Sequence, residues 1–431
     1  MSLADQASLL LIPSGYKSQK LYSIFPTNGV GDFDFSRSGS ATRIAQNGLI
    51  TTVDSNVPRL NYPMIDGKVV GCPSHLLEPD RSNSIPYSES FLGSTGQGNL
   101  TDSDAVSPDG SINGFKVSEV STNSYQSRIY TNISYVGGTT YTLYVFAKAS
   151  TNDRFVLFGQ TTSQPIVGYD LTNGTILTES NVTNSFIDNY GNGWYRCGFT
   201  YTCVSTQVSQ YGINLIKNGT TNTYIYNGNT NQNILFYGAS LEVGSFPTSY
   251  IPTNGSTVTR SAETANGSGD ASTFNDSEGV LMAEISALKD PVDSNNWLTI
   301  TGGTAANSVG IVFETTGTAT ARIEVGGVLQ AYLTTQVDYS NLIKVAFKYK
   351  ENDFAWWVNG FEVATDLSGV TFPSNTLNTF QFSYGAGGNN WLGKTKQLQY
   401  YNSALTDSEL EKISSWTSFS DMANGQLYSI K

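Results

Sequence analysis

Asn192-Gly-Trp-Tyr-Arg-Cys-Gly-Phe-Thr-Tyr-Thr-Cys203 and, a little further on, Tyr237-Gly-Ala-Ser-Leu-Glu-Val-Gly-Ser-Phe-Pro-Thr-Ser-Tyr-Ile-Pro-Thr253 decide how this chain is read. From Trp194 to Tyr201 the side chains alternate: Tyr195, Cys197, Phe199 and Tyr201 share one face, and Trp194, Arg196, Gly198 and Thr200 the other. Large aromatics on both faces put this strand inside a sandwich. Cys197 and Cys203 would lie about 20 Å apart along an extended strand, too far to bridge. They read as core residues, and with Cys72 alone elsewhere the chain is expected to carry free thiols, as in a reducing cytoplasm.

Working outward, strand signals fill residues 92–253. Thr140–Lys148 and Arg154–Phe158 combine β-branched and aromatic residues, and Asn173-Gly174, Tyr190-Gly-Asn-Gly193, Asn218-Gly219 and Asn227-Gly228 mark turns. The expectation is an antiparallel jelly roll. Residues 254–278 turn to Gly, Ser, Thr and Asn and read as a linker, although Thr257–Arg260 suits an edge strand. Residues 279–431 form a second β domain. There Ile343, Val345, Phe347 and Tyr349 alternate with Lys344 and Lys348, which predicts one wet face, and Asn359-Gly360 predicts a type I′ hairpin. Leu405–Trp416 is the single strong helix signal, with Thr406 as N-cap, Glu409 closing a capping box and Leu405 stapled to Leu410. Residues 1–91 show only short apolar pieces between turns, and are expected to be an irregular anchoring or assembly segment held against something else.

The bulk numbers agree with an all-β chain of two antiparallel sandwiches, an irregular N-terminal segment and one short C-terminal helix. Its 431 residues suit two or three domains, and only 13% are charged while Gly numbers 42 and Tyr 25. A net charge of -12 argues against nucleic acid or an anionic membrane as partner, since either needs a basic footprint. No apolar run is long enough for membrane insertion as a helix.

Four blocks carry a family resemblance: Phe35-Ser-Arg-Ser-Gly-Ser-Ala-Thr-Arg43, Asn47-Gly-Leu-Ile50, Pro58-Arg-Leu-Asn-Tyr62 and Leu77-Glu-Pro-Asp-Arg-Ser-Asn83. In this order they resemble a module common in bacteriophage virion proteins, where it precedes carbohydrate-binding-like sandwiches in tail fibres, head fibres and related appendages. Gly193-Trp-Tyr-Arg196 with Tyr237–Glu242 and Pro247–Thr253 resembles the end of a carbohydrate-binding-module-like jelly roll. Trp391 through Leu410 resembles the close of a concanavalin A-like, laminin-G-type lectin domain. The resemblance implies a virion protein assembled in the host cytoplasm, commonly a homotrimer, contacting other virion proteins through residues 1–91 and glycans through its sandwiches.

Catalytic chemistry is mostly missing. Glu284, Glu324 and Glu362 are each the lone acid of a strand, so the paired carboxylates of a glycosidase are not found on one strand. His75, the only histidine, has no Gly-x-Ser-x-Gly elbow to serve and reads as a packing residue. No cofactor is implied beyond calcium, for which Asp290 and Asp293, or the Asp102–Asp109 loop, offer oxygen ligands. Sugars need flat aromatics beside amides, and the candidates are Trp356 and Trp357, pointing to opposite faces of one strand, with Tyr384, Asn389 and Asn390 in a Gly-rich loop. The expected function is weak multivalent adhesion to host or environmental glycans, without catalysis. The alternatives are a polysaccharide depolymerase and a purely architectural capsid decoration.

Overall fold

The computed structural model describes residues 3–90, 95–96, 98–121, 127–288, 295–385 and 387–425. The Trp194–Thr202 strand lies inside the first sandwich, as its two aromatic faces require. It pairs with Thr140–Ala149 and Asn184–Asn189 in a sheet completed by Asn233–Val243, Ile112–Ser118 and Asn99–Val106. The facing sheet runs Thr95–Gly96, Arg128–Tyr135, Gln207–Leu215, Arg154–Gly159, Ile166–Asp170, Thr175–Ser180. Cys197, Phe199 and Tyr201 enter the core between the sheets beside Phe115, Phe155, Ile213 and Phe236. Trp194 points the other way, into a second apolar cluster with Tyr144, Phe146, Tyr237, Tyr250 and Ile50. Ile50 belongs to the N-terminal segment, so that segment covers the outer face of this sheet. Cys197 and Cys203 are buried free thiols and Cys72 an exposed one.

The second sandwich is not confined to the C-terminal part of the chain. One of its sheets runs Phe361–Asp366, Phe354–Val358, Ile343–Lys350, Glu278–Ala287, Gly393–Tyr401, Ser74–Leu77, Arg59–Asn61, with Leu9–Leu11 also paired to Gly393–Tyr401. The other begins with Tyr16–Lys17, Lys20–Leu21, Phe33–Ser36 and Thr264–Ser268 before reaching Thr379–Gln381, Asn296–Thr301, Ser308–Phe313, Thr318–Val325 and Val328–Gln336. Residues 1–91 are therefore not a separate anchoring segment, and residues 254–278 are not a free linker. The physical reason is burial: Leu9, Leu11, Leu21, Phe33 and Phe35 are 0–3% exposed and pack in one core with Leu281, Phe347, Phe380 and Phe382. The jelly roll is inserted between Ser74–Leu77 and Thr264–Ser268. Its two connections run antiparallel as a ribbon, Arg81–Asn83 against Val258–Arg260.

A knot of buried charge fastens this neck. Glu263 accepts from Arg37 at 2.7 Å, from Arg59, and from the Glu78 backbone N–H at 3.0 Å. Glu78 in turn binds Arg59 at 2.8 Å and Arg260 at 2.9 Å. Burial alone would push the Glu78 pKa up, but Arg260 and Arg59 hold it down at about 2. Three of the blocks that resemble the virion module thus contribute one member each, Arg37, Arg59 and Glu78. His75 sits beside the knot, fully buried, edge-on to Phe35 and Phe382.

Local signals in the second sandwich are realised. Asn359 and Gly360 take φ of 49° and 87° between Phe354–Val358 and Phe361–Asp366, as a type I′ turn needs. The helix spans Asp407–Ser414, and the Glu409 carboxylate accepts from the Thr406 N–H at 2.9 Å and its hydroxyl at 2.8 Å. A second short helix, Phe419–Gly425, follows. The expected wet face of Ile343–Lys350 is covered instead: Lys344 and Lys348 are each 7% exposed, and Lys344 lies over the Trp416 ring. Among the described residues no helix is long and apolar enough to cross a membrane.

Candidate functional site

The sugar candidates of the second sandwich are occupied by its own packing. Trp356 is fully buried in the core between the sheets. Trp357 does point to the opposite face, but Ala7, Leu10, Leu405 and Leu410 bury it there, because the N-terminus and the C-terminal helix cover that face. Neither presents a ring to solvent. Tyr384 is half-buried, packs against Trp297 at 4.2 Å between ring centroids and donates to Glu324 at 3.2 Å. Arg322 lies over the same Trp297 ring and pairs with Glu324, so these aromatics are engaged within the chain. Asn389 is exposed, while Asn390 is held by a backbone bridge to Trp297. Asp290 and Asp293 lie outside the described residues, and among those described no three acidic, histidine or cysteine side chains gather as a metal site.

Polar and aromatic groups converge on open space between the two sandwiches. A cleft of about 710 Å³ is lined by Asn61, Tyr62, Asp66, Asn173, Asp188, Asn189, Tyr190, Tyr195, Arg196 and Lys394, with Ile44, Met64, Ile65 and Ile187 as its apolar part. A smaller recess of about 160 Å³ shares Asn61, Tyr190, Arg196 and Lys394 with it and reaches Thr248 and Tyr250.

Each wall follows from local rules. In the jelly-roll wall Asp188 is paired across the strands with Arg196 and Asn189 with Tyr195. Strand alternation, which sends Cys197 inward, sends Arg196 outward to this face. There its guanidinium lies among Tyr144, Phe186 and Tyr190, each 5.5–5.6 Å away, and donates to Asp188 at 2.8 and 3.1 Å. The arginine is therefore a fixed post rather than a mobile chain. The opposite wall is a hairpin, Met64–Ile65 with Lys68–Val69, whose Asp66-Gly67 turn has both φ positive. Its tip meets the jelly roll: a Cβ on Gly67 would stand 2.6 Å from Gly191 Cα and closer still to Asn189 Oδ1. Only glycine permits that approach. Lys394, from Gly393–Tyr401, forms the floor.

Tyr62, Tyr190 and Tyr195 are partly exposed here, beside the amides of Asn61, Asn173 and Asn189. A pyranose presents apolar C–H faces and a rim of hydroxyls, which such a lining suits. None of these residues was a site candidate in the sequence. Tyr190 and Asn173 stood there only as turn residues, and the hairpin turn signal Asp66-Gly67, not singled out there, could have pointed to the opposite wall.

No protein-family model matches the chain, and no curated protein matches it. Solved structures are similar at low identity. The Ruminococcus gnavus IT-sialidase CBM40 bound to alpha2,3 sialyllactose is 18% identical over 33% of this chain and 86% of its own, with a TM-score of 0.30. Mouse laminin alpha1 chain, domains LG4-5, is 10% identical over 68% of this chain and 93% of its own, TM-score 0.24. Trypanosoma rangeli sialidase is 11% identical over 93% of this chain and 78% of its own, TM-score 0.28. At such scores the likeness assigns no function, and the functional reading stands on the cleft.

Proposed function

We propose that this chain is a non-catalytic glycan-binding protein whose recognition surface is the cleft between its two sandwiches. The observation that carries this reading is the convergence of Tyr62, Tyr190 and Tyr195 with Asn61, Asn173 and Asn189 in one open cleft of about 710 Å³, large enough for a short oligosaccharide. Following the resemblance of the four N-terminal blocks, we place the protein on a bacteriophage particle, as part of a fibre or appendage assembled in the host cytoplasm. Many copies, as in the homotrimers common among such proteins, would multiply weak single-site binding into firm adhesion. Contact with other virion proteins would then use exposed loops of residues 1–91, since the strands Leu9–Leu11, Tyr16–Lys17, Lys20–Leu21, Phe33–Ser36, Arg59–Asn61 and Ser74–Leu77 belong to the second sandwich. The test is a glycan array probed with the full chain displayed multivalently. Binding that Tyr62→Ala abolishes supports the reading, and a blank array overturns it in favour of an architectural role.

A second reading, polysaccharide cleavage, has one observation in its favour. Tyr237 donates toward both Glu89 at 3.3 Å and Asp109 at 3.1 Å. Burial and then the Asp109 charge push the Glu89 pKa up. Asp109 is pulled down, against burial, by the Ser111 N–H, Ser107 and Asn113. Carboxylates pushed apart in this way suit an acid and a base. New reducing ends on incubation with host polysaccharide, absent with Glu89→Gln, would establish that reading and end the non-catalytic one.

A further inference from the structure

Lys394 stands out on the cleft floor. Of the other cations nearby, Arg196 is bonded to Asp188, Arg59 and Arg260 are bonded to Glu78, and Arg43, which lines the recess, lies over the Tyr16 ring with no ion pair among the described residues. Among the described residues Lys394 has neither a hydrogen bond nor an ion pair, although its strand neighbour Lys396 is paired with Glu284 at 3.2 Å. It is only partly exposed, and it lines both the cleft and the adjoining recess. The acids that face the same space are Asp188, taken by Arg196, and Asp66 at the exposed rim, which has its own partner. Glu78, which lines the recess, is held by two arginines. With Asp188 and Glu78 both bonded to arginines, the Lys394 amine has no carboxylate at bonding distance and is free to meet an anion that enters the cleft.

We infer that the cleft takes a glycan carrying a single carboxylate, with Lys394 as the ionic contact and the neighbouring tyrosines and amides holding the sugar ring. This inference rests on the glycan-binding reading above and names the class of sugar. Burial, and then the Arg196 charge, hold the Lys394 amine below the ordinary lysine range, against the opposing pull of Glu78 and Asp188. The chain's net charge of -12 repels polyanions at long range, so one acidic residue within an otherwise neutral glycan fits better than a polyuronate.

The test compares a glucuronate-terminated oligosaccharide with its methyl ester, titrated calorimetrically into the full chain, wild type and Lys394→Gln, beside an array of neutral and acidic glycans. Each variant's denaturation midpoint is checked first. Expected is binding of the acid at least tenfold tighter than the ester, with Lys394→Gln bringing the acid to the level of the ester. Equal binding of acid and ester, or an array response confined to neutral glycans, overturns the acidic preference and leaves glycan binding intact. Acid binding undiminished in Lys394→Gln overturns the role of Lys394. A blank array fails glycan binding itself, and this inference with it.

Discussion

His75→Leu is the substitution that tests most sharply how the core around the neck is built. The imidazole is fully buried, touches Phe35 and Phe382 edge-on, and neither of its nitrogens has a hydrogen-bond partner. Burial lowers its pKa from 6.5 to about 4, slightly offset by Glu263. The sign follows from proton counts. Between those two values the unfolded chain takes up a proton that the folded chain refuses, so stability falls as pH drops below 6.5. At pH 4.5 the loss amounts to about 2.5 kcal/mol relative to pH 7.5. Leucine fills a similar volume with no group to titrate. Urea denaturation of both proteins at pH 7.5 and 4.5 should show wild type losing about 2.5 kcal/mol more than His75→Leu over that interval. Taking the difference between the two proteins removes the carboxylates common to both. At pH 7.5 the variant should be about as stable as wild type, since no hydrogen bond is lost. Parallel losses in the two proteins would refute a neutral buried His75. A variant several kcal/mol weaker at pH 7.5 would mean that the imidazole has a polar partner.

Three further expectations follow from the neck, the roof of the cleft and the corrected tryptophans. Glu263→Gln strips the shared carboxylate from Arg37 and Arg59 inside the neck and should cost roughly 3–5 kcal/mol by denaturation. Gly67→Ala forces a side chain toward Gly191 from a backbone at φ 73°, and should weaken glycan binding on the array at a stability cost of about 1–2 kcal/mol. Trp357→Ala should cost about 3–5 kcal/mol without changing glycan affinity per folded molecule, whereas Tyr62→Ala should do the reverse, as calorimetry and denaturation together would report.

The parts of the fold legible in the sequence are those set by near neighbours. Alternation from Trp194 to Tyr201, positive φ at Asn359-Gly360 and the Thr406–Glu409 box are each decided within a few residues, and each appears where expected. The N-terminal strands escaped for the opposite reason. Leu9 pairs with Tyr400 and His75 with Thr395, so a segment only three or four residues long gains its stability from partners hundreds of residues away. Periodicity cannot reveal a strand that short. Buried arginines were also hidden, because arginine usually marks a surface, and only the spatial meeting of Arg37, Arg59 and Arg260 with Glu78 and Glu263 makes them interior. The tryptophans misled because strand alternation tells which way a ring points but not what lies over it. Trp357 faces outward from its sheet onto a helix supplied by the same chain. The cleft joins Tyr62, Tyr190 and Lys394 from three separate parts of the chain, a meeting that no local pattern announces.

Hydrogen–deuterium exchange with and without a glycan found on the array tests the central claim most directly. The proposed binding surface comprises 61–66, 187–196 and the strand around Lys394, which line the cleft, and protection should appear on those segments together. Protection confined to the Tyr384–Asn390 loop and the outer face of Val328–Gln336, with the cleft segments unchanged, would contradict it.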